Sequence, residues 1–332
     1  MKIFFINQDV GSALEYSGNI FLSWMQELEN CEILNYKHQN PSPIIYNEIE
    51  KFNPDILILN EYFKRVIEAT YFWKKHKPST KIFFINYVSS TMIEKFNDPN
   101  EQIFFQDYFL NIADYIFTLN ELEPGQIFPK KLQDKLETWF CPTNPEVFKI
   151  TVPWGQRRKN FLYLGNILPH KMELEFIDLF AKTDMLLDCY GRIFEGNEIN
   201  ENIQNASNII LHGIVPQLDV PEIFNEYKYF VLPHANIPEP FNWTLLQAMF
   251  CGTIPLVKND PSYNNNWLSW ADGLYFGSKK SDKLIENMKE MLNYGKDLTP
   301  ISNAISQTAQ ERFNYRKMKE RFQEILQNWI QK

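Results

Sequence analysis

Two polar side chains stand close together around one short apolar helix pattern: Glu239 lies in the loop before Trp243–Phe250, and Gln247 lies within it. A carboxylate accepts hydrogen bonds from hydroxyl groups, and an amide accepts them through its carbonyl oxygen. The first amides of a helix have no partners inside the helix and attract anions such as phosphate. These residue types, in this order, could therefore bind a ligand that carries both hydroxyl groups and phosphate.

The chain around this helix pattern predicts a βαβ unit. An apolar run over Tyr229–Leu232 precedes the loop, and a second run over Thr253–Val257 follows Gly252. Gly252 falls where a helix commonly ends in a left-handed residue. In a βαβ unit, the loop after the first strand lies at the carboxyl edge of the sheet, where phosphates and sugars bind. We therefore expect Glu239 at that edge.

The stretch Glu239–Pro255 resembles the signature of nucleotide-sugar glycosyltransferases of GT-B fold, in particular the retaining family 4. That signature reads Glu-x-Phe-Gly, three aliphatic residues, Leu-Glu-Ala-Met and Cys-Gly-Thr-Pro. The resemblance implies that Glu239 contacts the donor sugar and that Gln247 stands where a glutamate holds the ribose hydroxyls. A glutamine lacks the charge and the bidentate reach of a carboxylate. We expect weaker donor binding or an atypical nucleotide.

By the same resemblance, Phe241, Asn242 and Trp243 are expected on the donor side, with Asn242 in place of the family's glycine. The segment Leu211-His212-Gly213 also matches the family, in which this loop lies near the nucleotide base. The resemblance therefore implies donor contacts from His212 and Gly213.

A second motif, from Tyr163 to Lys171, resembles the family's Gly-Arg-Leu-x-Pro-x-Lys-Gly loop. The resemblance implies that Lys171 neutralises the diphosphate leaving group and that Gly165 and Asn166 contact the donor. Asn166 occupies the family's arginine position, and the loss of one cation facing a developing charge should slow the departure of the diphosphate. Arg192, which follows Gly191 in a further expected donor loop, or Arg158 could replace that cation.

The first half of the chain offers fewer matches. Gly11, in the loop of Asp9–Ser12, stands where the family places a glycine close to the donor phosphate or sugar. After the strand pattern Lys81–Asn86, many members carry a histidine that helps to place the sugar, and this chain lacks it. Tyr87 or Ser89 would have to fill that place, on the acceptor side.

Strand patterns separated by helix patterns predict an α/β fold built on doubly wound parallel sheets. With the resemblance, this gives the GT-B architecture, two Rossmann-like domains that face a central cleft. We expect an N-terminal acceptor domain over 1–150, a C-terminal donor domain over 151–305 and a helix over 306–332 that crosses back to the first domain. Two local expectations are a loop over Asp9–Gly18 and one amphipathic helix over Gln307–Ile330.

Composition limits the partners. The 332-residue chain has a formal net charge of −8, which argues against a dominant nucleic-acid footprint. Its four cysteines are widely separated, which favours a reducing cytoplasm, and no run is long enough for a membrane span. Without an Asp-x-Asp motif, no metal is implied, and a nucleoside diphosphate sugar is expected as donor substrate rather than any bound cofactor.

The resulting hypothesis is a retaining, metal-independent glycosyltransferase that moves a sugar from a nucleoside diphosphate to a hydroxyl acceptor, with a cell-surface polysaccharide or glycan favoured. One alternative follows from Cys251–Pro255, which is similar to a sequence in the α-glucosyltransferases of T-even-like phages that act on hydroxymethylated cytosine in DNA. The acidic balance argues against that acceptor. The other alternative is a catalytically degraded protein that binds a sugar or nucleotide, because several motif positions have changed.

Overall fold

The computed structural model of the protein describes residues 1–7, 13–37, 40–60, 64–86, 112–119, 134–169, 171–193, 198–234, 241–259 and 271–330. The chain divides into two compact units, the first formed by Met1–Pro142 with Arg316–Lys332 and the second by Thr143–Tyr315. Within the described residues, each unit contains a six-stranded sheet. Both sheets are parallel, so the α/β prediction with two Rossmann-like units is confirmed.

The first unit alternates strands and helices, and its sheet has the order β2-β1-β3-β4-β5-β6. Its strands are apolar runs because helices cover both faces of a parallel sheet, and β3 is buried along its whole length. In chain order the described elements are β1 (Lys2–Asn7), α1 (Ala13–Gln26), β2 (Glu32–Lys37), α2 (Ser42–Phe52), β3 (Ile56–Leu59), α3 (Lys64–His76), β4 (Lys81–Asn86), β5 (Tyr115–Leu119) and β6 (Leu136–Trp139).

Helix α1 begins at Ala13, so the loop expected over Asp9–Gly18 is wrong in its second half. Gly18 was interpreted as a loop signal, yet it lies inside the helix. A Cβ atom at this position would lie 2.0 Å from Asn7 Oδ1 and 2.4 Å from Asn60 Nδ2. The glycine is needed for the close approach of the helix to two buried asparagines rather than for a turn.

The second unit has the sheet order β12-β11-β10-β7-β8-β9. A 3₁₀ turn over Trp154–Gln156 precedes its first strand. The described elements that follow are β7 (Arg158–Leu164), α4 (Leu174–Phe180), β8 (Leu187–Tyr190), α5 (Glu198–Gln204), β9 (Ile209–Gly213), α6 (Val220–Glu226), β10 (Tyr227–Leu232), α7 (Trp243–Phe250), β11 (Ile254–Lys258), β12 (Phe276–Ser278), α8 (Ser281–Asn293), α9 (Thr299–Arg312) and α10 (Tyr315–Ile330).

The C-terminal segment forms two helices, α9 and α10, where one helix was expected over Gln307–Ile330. The break falls at Phe313, whose backbone (φ −103°, ψ 58°) is not helical and whose side chain is 2% exposed. Periodicity alone could not reveal the break because Phe313 fits the apolar stripe. Helix α10 packs on the first unit through Phe322, whose ring lies 4.9 Å from that of Phe21.

Candidate functional site

The carboxyl edge of the second sheet brings the predicted motifs together. All described strand pairs of this sheet are parallel, so the loops that follow β7, β8, β9 and β10 leave from the same edge. These loops begin at Gly165, Gly191, Ile214 and Pro233 respectively. Ligands of open parallel sheets bind at this edge, and Gly165, Asn166, Gly191, Arg192 and Gly213 all lie at it.

Three glycines form a row of bare backbone across this edge. Gly165 N donates a hydrogen bond to Tyr190 O at 2.9 Å, and Gly191 N donates to Gly213 O at 2.7 Å. The φ angles of Gly165, Gly191 and Gly213 are 153°, 147° and 80°, which disfavours any residue with a Cβ atom. At Gly191 a Cβ atom would also lie 1.9 Å from the Gly165 carbonyl oxygen. The glycine at position 191 therefore allows the backbones of two neighbouring loops to approach each other closely.

The loop that follows Gly165 is held at its start. The Tyr163 hydroxyl donates to Asn166 O at 2.8 Å, and Ile167 N donates to Arg192 O at 2.9 Å. Tyr163 is 1% exposed, so its ring anchors the loop in the core. The Asn166 side chain is exposed, in the position where the resemblance expects an arginine.

Lys171 lies at the end of a tight turn. Its backbone N–H donates to Leu168 O at 2.8 Å, and the N–H of Met172 donates to the same oxygen at 2.9 Å. Met172 is 0% exposed, so the residue that replaces the family's final glycine packs into the core. Lys171 itself is half-buried, and the turn places it beside the start of α4.

The two arginines considered as the missing cation lie at opposite edges of the sheet. Arg158 is the first residue of β7, and its Nη2 lies 3.0 Å from Glu226 Oε2 at the amino edge. That placement excludes Arg158 as a partner of Lys171. Arg192 follows Gly191 at the carboxyl edge and is exposed, so it is the arginine that lies at the same edge as the turn of Lys171. The neighbouring Arg157 is 4% exposed and donates to Cys251 O at 2.9 Å, and burial lowers its pKa to about 10.

His212 is fixed by residues that the sequence did not reveal. Its Nε2 lies 2.6 Å from Asp188 Oδ1, and its ring stacks on Tyr190 with ring centroids 4.3 Å apart. Asp188 is 3% exposed and accepts a second hydrogen bond from Asn160 Nδ2 at 3.0 Å. The imidazole side chain remains 32% exposed, so one side of the ring stays open to a ligand.

The Asp188 carboxylate also acts on its neighbours. Burial, the hydroxyl of Tyr190 and the charge of Asp188 together raise the pKa of Tyr227, which stays protonated at neutral pH. Burial and the same carboxylate raise the pKa of Cys189. The only sequence signal for this cluster was the alternation of side chains along a strand, which places Asp188 and Tyr190, two residues apart, on the same face. Their contact with His212 depends on strand register.

Helix α7 begins as expected, and its flanking residues have structural contacts. Asn242 is the N-cap, and its Oδ1 accepts a hydrogen bond from Leu245 N at 2.8 Å. The Trp243 indole N–H donates to Thr143 Oγ1 at 2.8 Å, and the ring of Phe241 lies 6.1 Å from that of Phe313. The side chains of Trp243 and Phe241 are each 8% exposed, so these buried contacts hold the start of the helix in place.

Gln247 lies one turn into α7 and is 4% exposed. A ligand can therefore reach only a small part of its side chain. Four other expected site residues, Glu239, Gly11, Tyr87 and Ser89, lie outside the described residues.

The first unit carries a polar cluster at its own carboxyl edge. Asn7 ends β1 and Asn60 follows β3, and both are 0% exposed. Asn60 Nδ2 donates to Asn7 Oδ1 at 2.9 Å, and Asn7 Nδ2 donates to Asn19 Oδ1 at 3.2 Å. The predicted site did not include these residues, although Asn7 and Asn60 each end an apolar strand pattern.

Among the described residues, no group of three or more His, Cys, Asp or Glu side chains is arranged to hold a metal ion. In the same residues, no helix combines the length and the apolar character that crossing a bilayer requires.

A family model matches most of the second unit. Residues 148–312 match the family model "Glycosyl transferases group 1". No curated protein matches the chain. The matched residues include Gly165, Gly191, Gly213, the turn of Lys171 and helix α7.

Solved structures share the fold over the whole chain at low identity. HepE of Anabaena, solved in complex with UDP and glucose, has a TM-score of 0.80 at 13% identity, over 99% of this chain and 100% of that chain. Sucrose-phosphate synthase of Thermosynechococcus elongatus has 0.71 at 9% identity, over 99% of each chain. A UDP-GlcNAc 2-epimerase of Neisseria meningitidis has 0.64 at 12% identity, over 99% of this chain and 100% of that chain.

Proposed function

We propose that the donor of this nucleotide-sugar glycosyltransferase of GT-B type is a UDP-hexose bound at the carboxyl edge of the second sheet. The match of residues 148–312 to the group 1 glycosyl transferases supports a nucleotide-sugar donor. The observation that carries this proposal is the row of bare backbone at Gly165, Gly191 and Gly213, beside the turn of Lys171. The HepE structures contain UDP and glucose or UDP-glucose, which supports this donor class.

In the proposed complex, the diphosphate lies over the glycine row, where three neighbouring loops present backbone without side chains. Lys171 and Arg192 supply the two positive charges that face it, and the exposed Asn166 amide donates a hydrogen bond. Fixed charges in a water-poor site stabilise the charge that develops on the leaving group, often by about 2.7–4 kcal/mol per group. Arg192 thereby takes the role that the arginine has in the family motif.

The nucleoside end of the donor lies beside the open side of His212 and Gly213. The stacked rings of Tyr190 and His212 form a fixed surface beside the nucleoside, since Asp188 holds the imidazole in place. Gln247 binds one ribose hydroxyl through its amide, which is weaker than a carboxylate pair. We expect UDP to bind less tightly than it would to a variant with glutamate at this position.

The proposed chemistry is transfer with retention at the anomeric carbon. The bond from this carbon to the β-phosphate oxygen breaks, a bond to the acceptor hydroxyl oxygen forms, and the proton of that hydroxyl passes to the departing phosphate oxygen. Glu239 holds the hydroxyls of the sugar during the exchange. The reaction needs no metal ion, because Lys171 and Arg192 carry the counter-charge.

The acceptor is proposed to be a glycan hydroxyl. The net charge of −8 opposes a large polyanionic acceptor such as duplex DNA. The fold alone would also fit an epimerase, since a UDP-GlcNAc 2-epimerase shares it. The group 1 match over the donor unit favours transfer.

A donor screen tests the proposal. The protein is incubated with UDP-, GDP-, ADP- and TDP-hexoses in the presence of EDTA, and the melting temperature and nucleotide release are measured. Ligand at one hundred times its Kd should stabilise the fold by about 2.7 kcal/mol. We expect a UDP-hexose to raise the melting temperature and to be hydrolysed slowly, and Lys171→Ala to reduce the hydrolysis rate by at least about tenfold.

The matched control is Lys182→Gln, which removes an exposed lysine after α4 and should hydrolyse the donor at the wild-type rate. Addition of oligosaccharides, or of duplex DNA with hydroxymethylated cytosine, then identifies the acceptor by a faster release of UDP. Stabilisation without any turnover would favour a degraded, nucleotide-sugar-binding protein. If no donor changes the melting temperature, the proposal is wrong.

A further inference from the structure

A buried ion pair between Lys258 and Glu173 lies beside the turn of Lys171. The side chains of Lys258 and Glu173 are 6% and 15% exposed. Glu173 Oε2 also accepts a hydrogen bond from Ser281 Oγ at 2.8 Å. Removing two charges from water carries a large desolvation cost, so a buried pair contributes little net stability over apolar residues of the same volume. The pair is therefore better explained by what it holds in place.

The position of Glu173 in the chain shows what the pair holds. Glu173 is the N-cap of α4, a position where Ser, Thr, Asp or Asn usually bonds the helix amides. Its side chain makes no such bond. It extends instead to Lys258, the last residue of β11, and to Ser281, the first residue of α8. The carboxylate thus connects the start of one helix to two other elements.

The backbone of Glu173 adds a third connection. Its N–H donates to Pro233 O at 3.2 Å, directly after the end of β10. Residues Leu168–Met172 of the turn immediately precede it in the chain. The two hydrogen bonds that Leu168 O accepts close the turn but do not fix where the turn lies. Ile167 fixes its start through Arg192 O, and Glu173 fixes its end.

We propose that Glu173 is a positioning residue, which through Lys258, Ser281 and Pro233 holds the Lys171 turn against the ends of β10 and β11. This inference rests on the proposed function, in which the Lys171 ammonium group faces the donor diphosphate. Glu173 does not touch the donor. A small displacement of a charged group from its productive position can cost about a hundredfold in rate. Loss of the pair should therefore lower kcat more than it weakens donor binding.

The test compares Glu173→Gln with Glu226→Gln, which removes an ion pair with Arg158 at the amino edge of the same unit. Hydrolysis of UDP-glucose is followed well below both melting temperatures. We expect Glu173→Gln to lower kcat by about ten- to a hundredfold, with KM changed less than about threefold. Glu226→Gln should stay within about twofold of the wild type. Lys258→Met should lower kcat to the same extent, and the double variant should be no worse, because the two residues act as one unit.

Hydrogen exchange on the ligand-free protein gives a readout that does not need turnover. Peptides that cover residues 165–173 should exchange faster in Glu173→Gln and remain unchanged in Glu226→Gln. A lower melting temperature with unchanged kcat and unchanged exchange in these peptides would overturn the inference. If the wild-type protein turns over no donor, the proposed function fails, and the exchange comparison still decides whether Glu173 holds the turn.

Discussion

At the scale of single residues, the candidate site depends on where side chains are missing as well as on where they are charged. Gly165, Gly191 and Gly213 lie at the carboxyl ends of three neighbouring strands, and their φ angles lie in a region that glycine tolerates best. Asn242 shows the opposite case, since the residue that departs from the family signature caps α7 through its side chain. Asn is a better N-cap than the family's glycine, so this departure supports the helix.

The first prediction concerns Gly191→Ala. The new Cβ atom would lie 1.9 Å from the Gly165 carbonyl oxygen, and the backbone would keep a φ of 147°. The strain should lower the free energy of unfolding by about 1–3 kcal/mol, measured by urea denaturation. Gly155→Ala is the control, because no atom lies within 4 Å of its added Cβ atom, and it should change stability by less than about 0.5 kcal/mol. Equal effects of the two variants would contradict the argument.

At the scale of elements, α10 is attached to the first unit by an aromatic contact and a bidentate ion pair. Arg321 Nε donates to Glu137 Oε1 at 2.9 Å, and Nη2 donates to Oε2 at 2.8 Å. Burial by itself would raise the pKa of the Glu137 carboxyl, but hydrogen bonds from Arg321 and Tyr115 lower it overall. The ionised form of Glu137 is therefore favoured in the folded state.

The second prediction is the pH dependence of this attachment. A carboxyl group with a lowered pKa stabilises the fold above its unfolded pKa, about 4.3 for glutamate. That stabilisation is lost as the pH falls through the folded pKa. Because both side chains are partly exposed, the pair should contribute no more than about 1 kcal/mol. Glu137→Gln should therefore be less stable than the wild type at pH 7, and the difference in urea midpoint should shrink below pH 4.

The control for this experiment is Glu324→Gln, which removes the second, more exposed carboxylate near Arg321. It should have a small effect at every pH, because exposed pairs on one helix are weak. A difference between Glu137→Gln and the wild type that stays constant from pH 7 to pH 3 would show that the carboxylate charge does not matter for this attachment.

At the scale of the whole molecule, the chain builds two units that each have their own core. The core of the first unit includes a residue from the last helix, since Phe322 is 0% exposed and contacts both Phe21 and Phe83. The second unit is continuous in sequence over Thr143–Tyr315. The first unit is therefore complete only after the last helix has been synthesised.

The third prediction is the effect of Phe322→Ala. Removing a fully buried aromatic side chain should destabilise the first unit by about 3–5 kcal/mol. Phe72→Ala is the control, because that ring is 56% exposed on α3 of the same unit, and it should cost less than about 1 kcal/mol. Hydrogen exchange should increase in β1 and β4 of the first unit and stay unchanged in β10 and β11. Equal destabilisation of both units would contradict the division of the chain into two units with separate cores.

Local patterns predicted the elements well where one pattern dominates. The helix Trp243–Phe250 was predicted with its bounds, because an apolar run stands between a polar loop and Cys251-Gly252. Gly252 has the expected left-handed backbone, with φ 67°. The first residues of α1 were predicted as a loop because Gly18 has the local signature of a loop. In the structure Gly18 instead allows a close tertiary contact. The break at Phe313 was missed for a similar reason, since an apolar residue fits both a helix stripe and a buried cap.

By itself, the sequence determined the α/β class and the alternation of strands and helices, and it indicated which loops leave the second sheet at its carboxyl edge. These features follow from hydrophobic periodicity and from the positions of glycines, which are local properties of the sequence. Only the tertiary structure decided that Asp188 and Tyr190 hold His212, that Glu173 reaches Lys258, and that Arg158 and Arg192 lie at opposite edges. Such contacts join residues far apart in the chain, and they depend on strand register and helix packing, which no local pattern encodes.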